Sequence, residues 1–232
     1  MESSLNCEIA ELFRCIRSYP RTKSGIVTSA YLIGPDPSLP VLFIGAQLVD
    51  WAFFTFLLFG IEAMRVTPGL TVMNPMDLYH MPYTHSLVGG VAWGAAFGLL
   101  ISLWTKKRTA ALIAFAVVVS HWLLDLLVHA PDLTFAGNPP KLGFGLWNYP
   151  TIEMPLELAL TIGALWFFKA KTQAATMPVL ALGFTLLGLQ MVNWFGPHPT
   201  EVTAATSFLA FFAFGLATLV AWWADRGSAT LG

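Results

Sequence analysis

Long apolar stretches separated by short polar segments dominate the pattern of the chain. A helix needs about 20 apolar residues to cross a bilayer core roughly 30 Å thick. Five stretches meet this requirement, at residues 41–61, 86–104, 109–130, 177–195 and 204–224. A sixth stretch, residues 152–168, is shorter and opens with glutamates. The pattern predicts an all-α polytopic membrane protein with about six transmembrane helices.

The polar positions divide the chain into two parts. Residues 1–40 form a polar N-terminal segment, and residues 41–226 contain the six apolar stretches, which we interpret as one transmembrane domain. Within the N-terminal segment, either a short helix on the membrane surface or a tail without structure fits the spacing of Ile9, Leu12, Phe13 and Ile16.

Composition agrees with a membrane protein and limits its partners. Hydrophobic residues make up 56% of the chain and charged residues 11%, far below the roughly 25% charged residues of a soluble domain. The net charge is −1, and the longest basic run is Lys106 to Arg108, which argues against nucleic acid as a partner. The predicted partner is the lipid bilayer. The two cysteines, Cys7 and Cys15, provide neither a disulfide framework nor a CxxC metal pair.

Basic residues are distributed unevenly between the two sets of connections. With a cytoplasmic N-terminus, ten Lys and Arg residues fall on the cytoplasmic side, and only Arg65 and Lys141 fall on the other. This bias follows the positive-inside rule. We therefore predict six spans with both termini cytoplasmic.

All five histidines fall on the predicted non-cytoplasmic side. His80 and His85 precede the second span, His121 and His129 lie near the outer end of the third, and His198 lies in the last outer connection. Because the basic residues fall on the opposite side, this segregation indicates more than random packing.

The third span carries imidazoles and carboxylates along one stripe. On a continuous helix, Asp125 lies about 40° from His121, His129 about 80° and Asp132 about 20°. A carboxylate in hydrocarbon costs several kcal/mol unless it is paired, hydrated or bound to a metal. The same cost applies to Asp50 in the first span.

Converging imidazole and carboxylate groups are typical of a divalent transition-metal site. Without cysteine ligands, the candidates are zinc, which we favour, manganese and iron(II). An open coordination position lowers the pKa of a bound water toward about 7, and a nearby carboxylate that is not a ligand can act as general base.

Three short motifs occur in order along the chain: Gly-Ala-Gln-Leu-Val-Asp50, Tyr-Thr-His85-Ser-Leu and Ser-His121-Trp-Leu-Leu-Asp125. In order and spacing they resemble a bacterial inner-membrane family described as membrane-bound metal-dependent hydrolases, over roughly residues 40–170. The resemblance implies a multi-pass protein of the bacterial inner (plasma) membrane. It further implies that Asp50, His85, His121 and Asp125 bind a metal on the periplasmic side.

The resemblance also implies roles for three further residues. Many members carry a Gly-His or Ala-His step before the first span, whereas residues 1–40 contain no histidine. Either His80 or His129 then supplies another ligand, or the site differs in this chain. Glu157, at the opening of the fourth span, corresponds to the base or to a group that supports the ligands. The implied substrate is a small-molecule or lipid ester, a phosphoester or another.

Other interpretations of the same residues stay open. A transporter or an ion or proton pathway also uses acids and histidines within the membrane, although the sequence lacks an inverted repeat or paired broken helices. A haem-binding protein needs two histidines at matched depth, a condition that His85 and His121 meet poorly. Simple structural roles are the remaining alternative: a packing pair for His121 and Asp125, an interface anchor for His85, and solvated positions for His80, His129 and His198.

Overall fold

The computed structural model describes residues 37–172 and 174–226. The predicted surface helix around Ile9 to Ile16 lies outside the described residues, as do both cysteines.

Six helices, each long and apolar enough to cross a membrane, make up most of the described chain. Their bounds are α1 (Leu39–Leu58), α2 (Leu87–Thr105), α3 (Arg108–Val128), α4 (Pro150–Thr172), α5 (Thr176–Phe195) and α6 (Ala204–Arg226). The prediction of an all-α, multi-pass membrane protein with six spans is confirmed.

Two helix boundaries differ from the predicted ones for identifiable reasons. The fourth helix begins at Pro150, two residues earlier than predicted, because proline is favourable in the first helical turn, where no backbone donor is lost. The third helix ends at Val128 because His129 adopts an extended conformation. Ala130 then precedes Pro131, a position that disfavours continued helix.

The three longer connections meet at one end of the bundle, which we call the loop end. They are residues 59–86, 129–149 and 196–203. The first contains an antiparallel hairpin of β1 (Ala63–Val66) and β2 (Met76–His80), and the second contains a single 3-10 turn, Leu146–Asn148. Backbone hydrogen bonds join them, from Leu87 N to Thr134 O (3.0 Å) and from Met73 N to Trp147 O (3.1 Å).

Small residues let α2 and α3 pack closely against each other. A Cβ atom on Gly98 would lie 2.9 Å from the backbone oxygen of Ala111, and one on Gly94 would lie 3.1 Å from that of Phe115. Close backbone approach at small residues is how membrane helices gain packing energy, since lipid offers no hydrophobic driving force between helices.

Helix α1 lies against three others, α2, α3 and α6, while α4 packs mainly on α5. The buried residues between α1, α2 and α3 are apolar: Val49, Phe97, Ile101, Ala110, Ala114 and Val118. At the loop end a second apolar cluster fixes the hairpin to α1 and α3, formed by Phe53, Met64, Leu78, Met81, Trp122 and Leu133. The loop end of α1 and α3 is therefore a rigid frame for polar side chains.

Candidate metal centre

Polar side chains from α1, α3 and the segment before α2 converge just inside the loop end. The Nε2 atom of His85 lies 3.3 Å from Asp50 Oδ1 and 3.7 Å from Asp125 Oδ2. The Nε2 atom of His121 lies 3.5 Å from the same Asp50 oxygen and 3.1 Å from the same Asp125 oxygen. The structure thus brings together four residues that the sequence singled out.

Three of these residues have the spacing of a metal-binding set. One ligand atom each from Asp50, His85 and His121 lies within 4.8 Å of the other two. Two imidazoles and one carboxylate that leave further positions open are a common arrangement for catalytic zinc and for non-haem iron. Asp125 stands beside this set, with one oxygen near both histidines.

A buried chain of hydrogen bonds fixes the ring of His85. Its Nδ1 atom lies 2.9 Å from Thr84 Oγ1, and that hydroxyl donates to Glu62 Oε2 at 2.6 Å. Glu62 also accepts from the backbone N–H groups of Tyr83 and Thr84. Because the threonine hydroxyl gives its proton to Glu62, it accepts a hydrogen bond from Nδ1–H of His85. The Nε2 atom, which faces Asp50, is then left with a lone pair.

A backbone carbonyl fixes the ring of His121 in the same way. Its Nδ1 atom lies 2.9 Å from Ala46 O, an atom that only accepts hydrogen bonds. A proton therefore sits on Nδ1, and in the neutral ring Nε2 again presents a lone pair to the carboxylates. Ala46 lies one turn before Asp50 on α1, so one helix supplies both a ligand and the group that orients another ligand.

His129 repeats the pattern at the end of α3. Its Nδ1 atom lies 3.1 Å from Asp132 Oδ1, and its Nε2 atom lies 3.8 Å from Asp125 Oδ1. Its ring also packs on Trp147, with centroids 4.3 Å apart. Burial lowers the pKa of His129, but the carboxylates of Asp125 and Asp132 outweigh burial and raise it above its usual value.

The inner faces of these groups lack donors. His121 Nε2 and Asp125 Oδ2 are 3.1 Å apart, yet both are buried and neither makes a hydrogen bond among the described residues. Lone pairs of two imidazoles and two carboxylates that face one point repel each other unless a cation lies between them. That cation is either protons on the rings or a metal ion. Imidazoles oriented by outer acceptors are the usual surroundings of a metal.

The structure does not bring every predicted ligand to this cluster. His80 is exposed at the last position of β2, where its backbone pairs with Ala63. No contact among the described residues links it to the cluster. His129 is therefore the histidine that accompanies the four motif residues. His198 is exposed in the loop between α5 and α6.

Glu157, predicted as the base or as a group that supports the ligands, also lies outside the described contacts of the cluster. Its Oε2 atom accepts hydrogen bonds from Gln190 Nε2 and from Trp194 Nε1, the latter at 3.0 Å. Helix α4 packs on α5 rather than on α3, which turns Glu157 toward α5 instead.

Some residues that orient the histidines were not predicted from the sequence, and one was predicted from a helix that does not extend that far. Glu62 and Thr84 have no spacing signal, since Glu62 acts on residues about twenty positions further along the chain. Asp132 was placed on the stripe of α3 as if the helix continued. It instead reaches His129 from the loop that follows the helix.

Comparison with known proteins adds no relative: no family model, no curated protein and no solved structure matches the chain. The resemblance to the membrane-bound hydrolases therefore rests on the three motifs alone.

Proposed function

We propose that this protein binds one divalent transition metal through Asp50, His85 and His121 and acts as a membrane-embedded metal-dependent hydrolase. One observation carries the proposal. Two imidazoles, each with Nδ1 committed to an outer acceptor, direct Nε2 lone pairs and two carboxylates at one buried point. Zinc fits this donor set, and manganese and iron(II) fit it as well.

The residues around the metal have distinct proposed roles. A bound divalent ion supplies Lewis acidity and activates a water molecule for attack on an ester. Asp125, beside the three ligands, is the group placed to hold and move a proton, because its Oδ2 atom makes no hydrogen bond among the described residues. Glu62 and Asp132 keep the rings of His85 and His129 oriented through their Nδ1 atoms.

The access side belongs to the same proposal. The side chain of Asp50 is 26% exposed, whereas that of His85 is 3% exposed. The three proposed ligands are therefore accessible from the side of Asp50 and buried on the side of His85. We place the site at the periplasmic face of a bacterial inner membrane, where an ester substrate enters from lipid or from water. This assignment follows the charge bias of the connections and the motif resemblance.

The geometry favours this function over the two other classes. A haem needs room for a macrocycle between its axial histidines, but both carboxylates lie within 3.7 Å of the Nε2 atom of His85. A proton pathway needs a series of titratable groups that continues across the membrane. The described members of this cluster all lie in the half of the bundle nearer the loop end instead.

Metal content tests the proposal directly. Mass spectrometry on purified wild-type protein should find about one equivalent of zinc, manganese or iron, with the metal lost in His121→Ala and in Asp50→Ala. The matched controls are His80→Ala and His198→Ala, which remove exposed histidines outside the cluster and should keep the metal. A folded wild-type protein that takes up no metal after reconstitution contradicts the proposal.

Activity is tested separately from binding. Metal-loaded protein should hydrolyse members of a panel of carboxyl esters and phosphoesters in detergent, and Asp125→Asn should lose that hydrolysis while it retains metal. If the metal-loaded wild-type protein hydrolysed neither ester class, the metal site would stand but the proposal of a hydrolase would be rejected.

A further inference from the structure

A cavity of about 510 Å³ lies between α4, α5 and α6, with Gln47 of α1 at its inner wall. We call it the lateral cavity. Its volume falls within the range of small-molecule sites, roughly 300–1,000 Å³. The cavity lies among membrane-spanning helices. Ligands that enter it from the side therefore come from the bilayer.

The lining of the lateral cavity is divided along the membrane normal. Toward the loop end it holds polar groups, namely Glu157, Gln190 and Asn193. Toward the other end it holds apolar ones, including Leu165, Leu180 and Phe184. The thirteen residue steps from Leu180 to Asn193 span about 20 Å of helix at 1.5 Å per residue. A polar end and a long apolar channel fit an amphiphile with one chain.

The polar end of the lateral cavity carries an acidic group and, among the described lining residues, no basic one. Glu157 is the one ionisable residue in the described lining, and its Oε2 atom already accepts from Gln190 and Trp194. One turn earlier, Glu153 is buried, and both of its carboxylate oxygens lack a hydrogen-bond partner among the described residues. The two residues are four positions apart on α4, so their side chains are neighbours on one face of that helix. Two acids side by side in hydrocarbon favour a cation or a proton between them.

The lateral cavity also approaches the metal centre. Gln47 and Asp50 are three positions apart on α1, so their side chains start about 5–6 Å apart on neighbouring faces of the helix. Gln47 is held in the cavity wall by Thr218, whose Oγ1 atom donates to its Oε1 atom at 3.3 Å. The cavity wall at Gln47 is therefore about one turn of α1 from Asp50, a proposed metal ligand.

We infer that the lateral cavity binds a membrane lipid whose head carries an ammonium group, with the ammonium at Glu157 and the chain along Leu165, Leu180 and Phe184. A lipid ester of this class would be the substrate of the proposed hydrolase, and only that last step rests on the proposed function. An anionic head is disfavoured at the same place, because it meets the carboxyl group of Glu157, with Glu153 one turn away on α4, and no lysine or arginine in the described lining.

Photo-crosslinking with two matched probes tests this inference. Each probe carries a diazirine on a twelve-carbon chain, with an ammonium head in one and a carboxylate head in the other. In wild-type protein the ammonium probe should label α4, α5 or α6 about tenfold more strongly than the carboxylate probe, the ratio expected for a hydrogen-bonded charge. Glu157→Gln should bring the two probes to within a few-fold of each other.

Filling the cavity supplies the second arm of the test. Ala213→Phe should abolish labelling by both probes, whereas Ala96→Phe, on an exposed position of α2, should leave it unchanged. Leu187→Trp, from the facing wall, serves if Ala213→Phe does not fold. Equal labelling by both probes in wild type, or full labelling in a folded cavity-filled variant, overturns the inference.

The test separates this inference from the proposed function. Labelling should persist in metal-free wild-type protein and in His121→Ala, because no metal ligand lines the lateral cavity. If the wild-type protein is labelled by the ammonium probe but contains no metal, the lipid site is supported and the hydrolase is rejected. Metal without labelling in wild type rejects the lipid site alone.

Discussion

At the scale of single residues, Thr84 determines how the ring of His85 is held. Its hydroxyl stands between Glu62 and His85 Nδ1, and its own N–H also binds Glu62. The residue is fully buried, so water does not replace the hydroxyl when it is removed. Orientation of a ligand by such outer hydrogen bonds typically accounts for a factor of 10–100 in metal affinity.

Thr84→Val should therefore lower metal affinity by roughly 10- to 100-fold, because the isosteric side chain no longer accepts from Nδ1–H of His85. Competition with a chromogenic chelator measures the change. The matched control is Thr105→Val, which removes another buried hydroxyl, one that bonds only within its own helix end. Equal affinities in Thr84→Val and wild type would show that His85 is not a ligand or that Thr84 does not orient it.

The residues also show why part of the site was predictable. A carboxylate in hydrocarbon must be compensated, and this argument drew attention to Asp50 and Asp125, whereas Glu157 was predicted from the motif resemblance. It does not identify the group that compensates each carboxylate. Asp50 meets His85 and His121 from other segments, and Asp125 meets His121 of its own helix and His85 from the segment before α2. Glu157 instead meets Gln190 and Trp194. The choice depends on which helices are neighbours, and hydropathy does not give that.

At the scale of elements, the contact between α2 and α3 sets the distance between two proposed metal ligands, His85 and His121. His85 is anchored just before α2, and His121 lies on α3. Gly94 and Gly98 lie against the backbone of α3, at Phe115 and Ala111. A wider spacing between these helices would move the two Nε2 atoms apart.

Gly98→Ala should destabilise the protein by about 1–3 kcal/mol, the usual cost of overpacking, and should also weaken metal binding. The reason is that its Cβ would lie 2.9 Å from Ala111 O, a backbone atom that cannot rotate away. Thermal unfolding in detergent and chelator competition measure both effects.

Gly163→Ala is the control for this prediction, because nothing lies within 4 Å of the added Cβ on α4. It should be neutral or stabilising, since alanine has the higher helix propensity. If both glycine variants behaved alike, α2 and α3 would not be packed closely through Gly98.

The elements themselves were largely predictable, and their exceptions are local. Membrane thickness requires helices of a certain length, so apolar runs located all six spans. The early end of α3 follows from Pro131, a signal that was present in the sequence but was overridden by the continuing apolar pattern. The hairpin of β1 and β2 was not predicted. Its buried residues, such as Met64 and Leu78, pack on α1 and α3 and follow no long pattern.

At the scale of the whole molecule, charge and chemistry occupy opposite ends. Six of the eight Lys and Arg residues in the described chain lie at the end away from the loops: Lys106, Lys107, Arg108, Lys169, Lys171 and Arg226. The cluster of Asp50, His85, His121, Asp125 and His129 lies near the loop end. By the positive-inside rule, we expect the end rich in basic residues to face the cytoplasm, and the proposed metal centre would then open to the other side.

Cysteine labelling tests this orientation. In a background with Cys7→Ser and Cys15→Ser, Lys141→Cys should react with a membrane-impermeant maleimide in intact spheroplasts, because it is exposed at the loop end. Arg108→Cys, exposed at the opposite end, should react only after detergent is added. The two variants control for each other, since each replaces an exposed basic residue. The reverse pattern would place the metal centre on the cytoplasmic side. Its ligands would stand unchanged, but a substrate would then have to come from the cytoplasm or the inner leaflet.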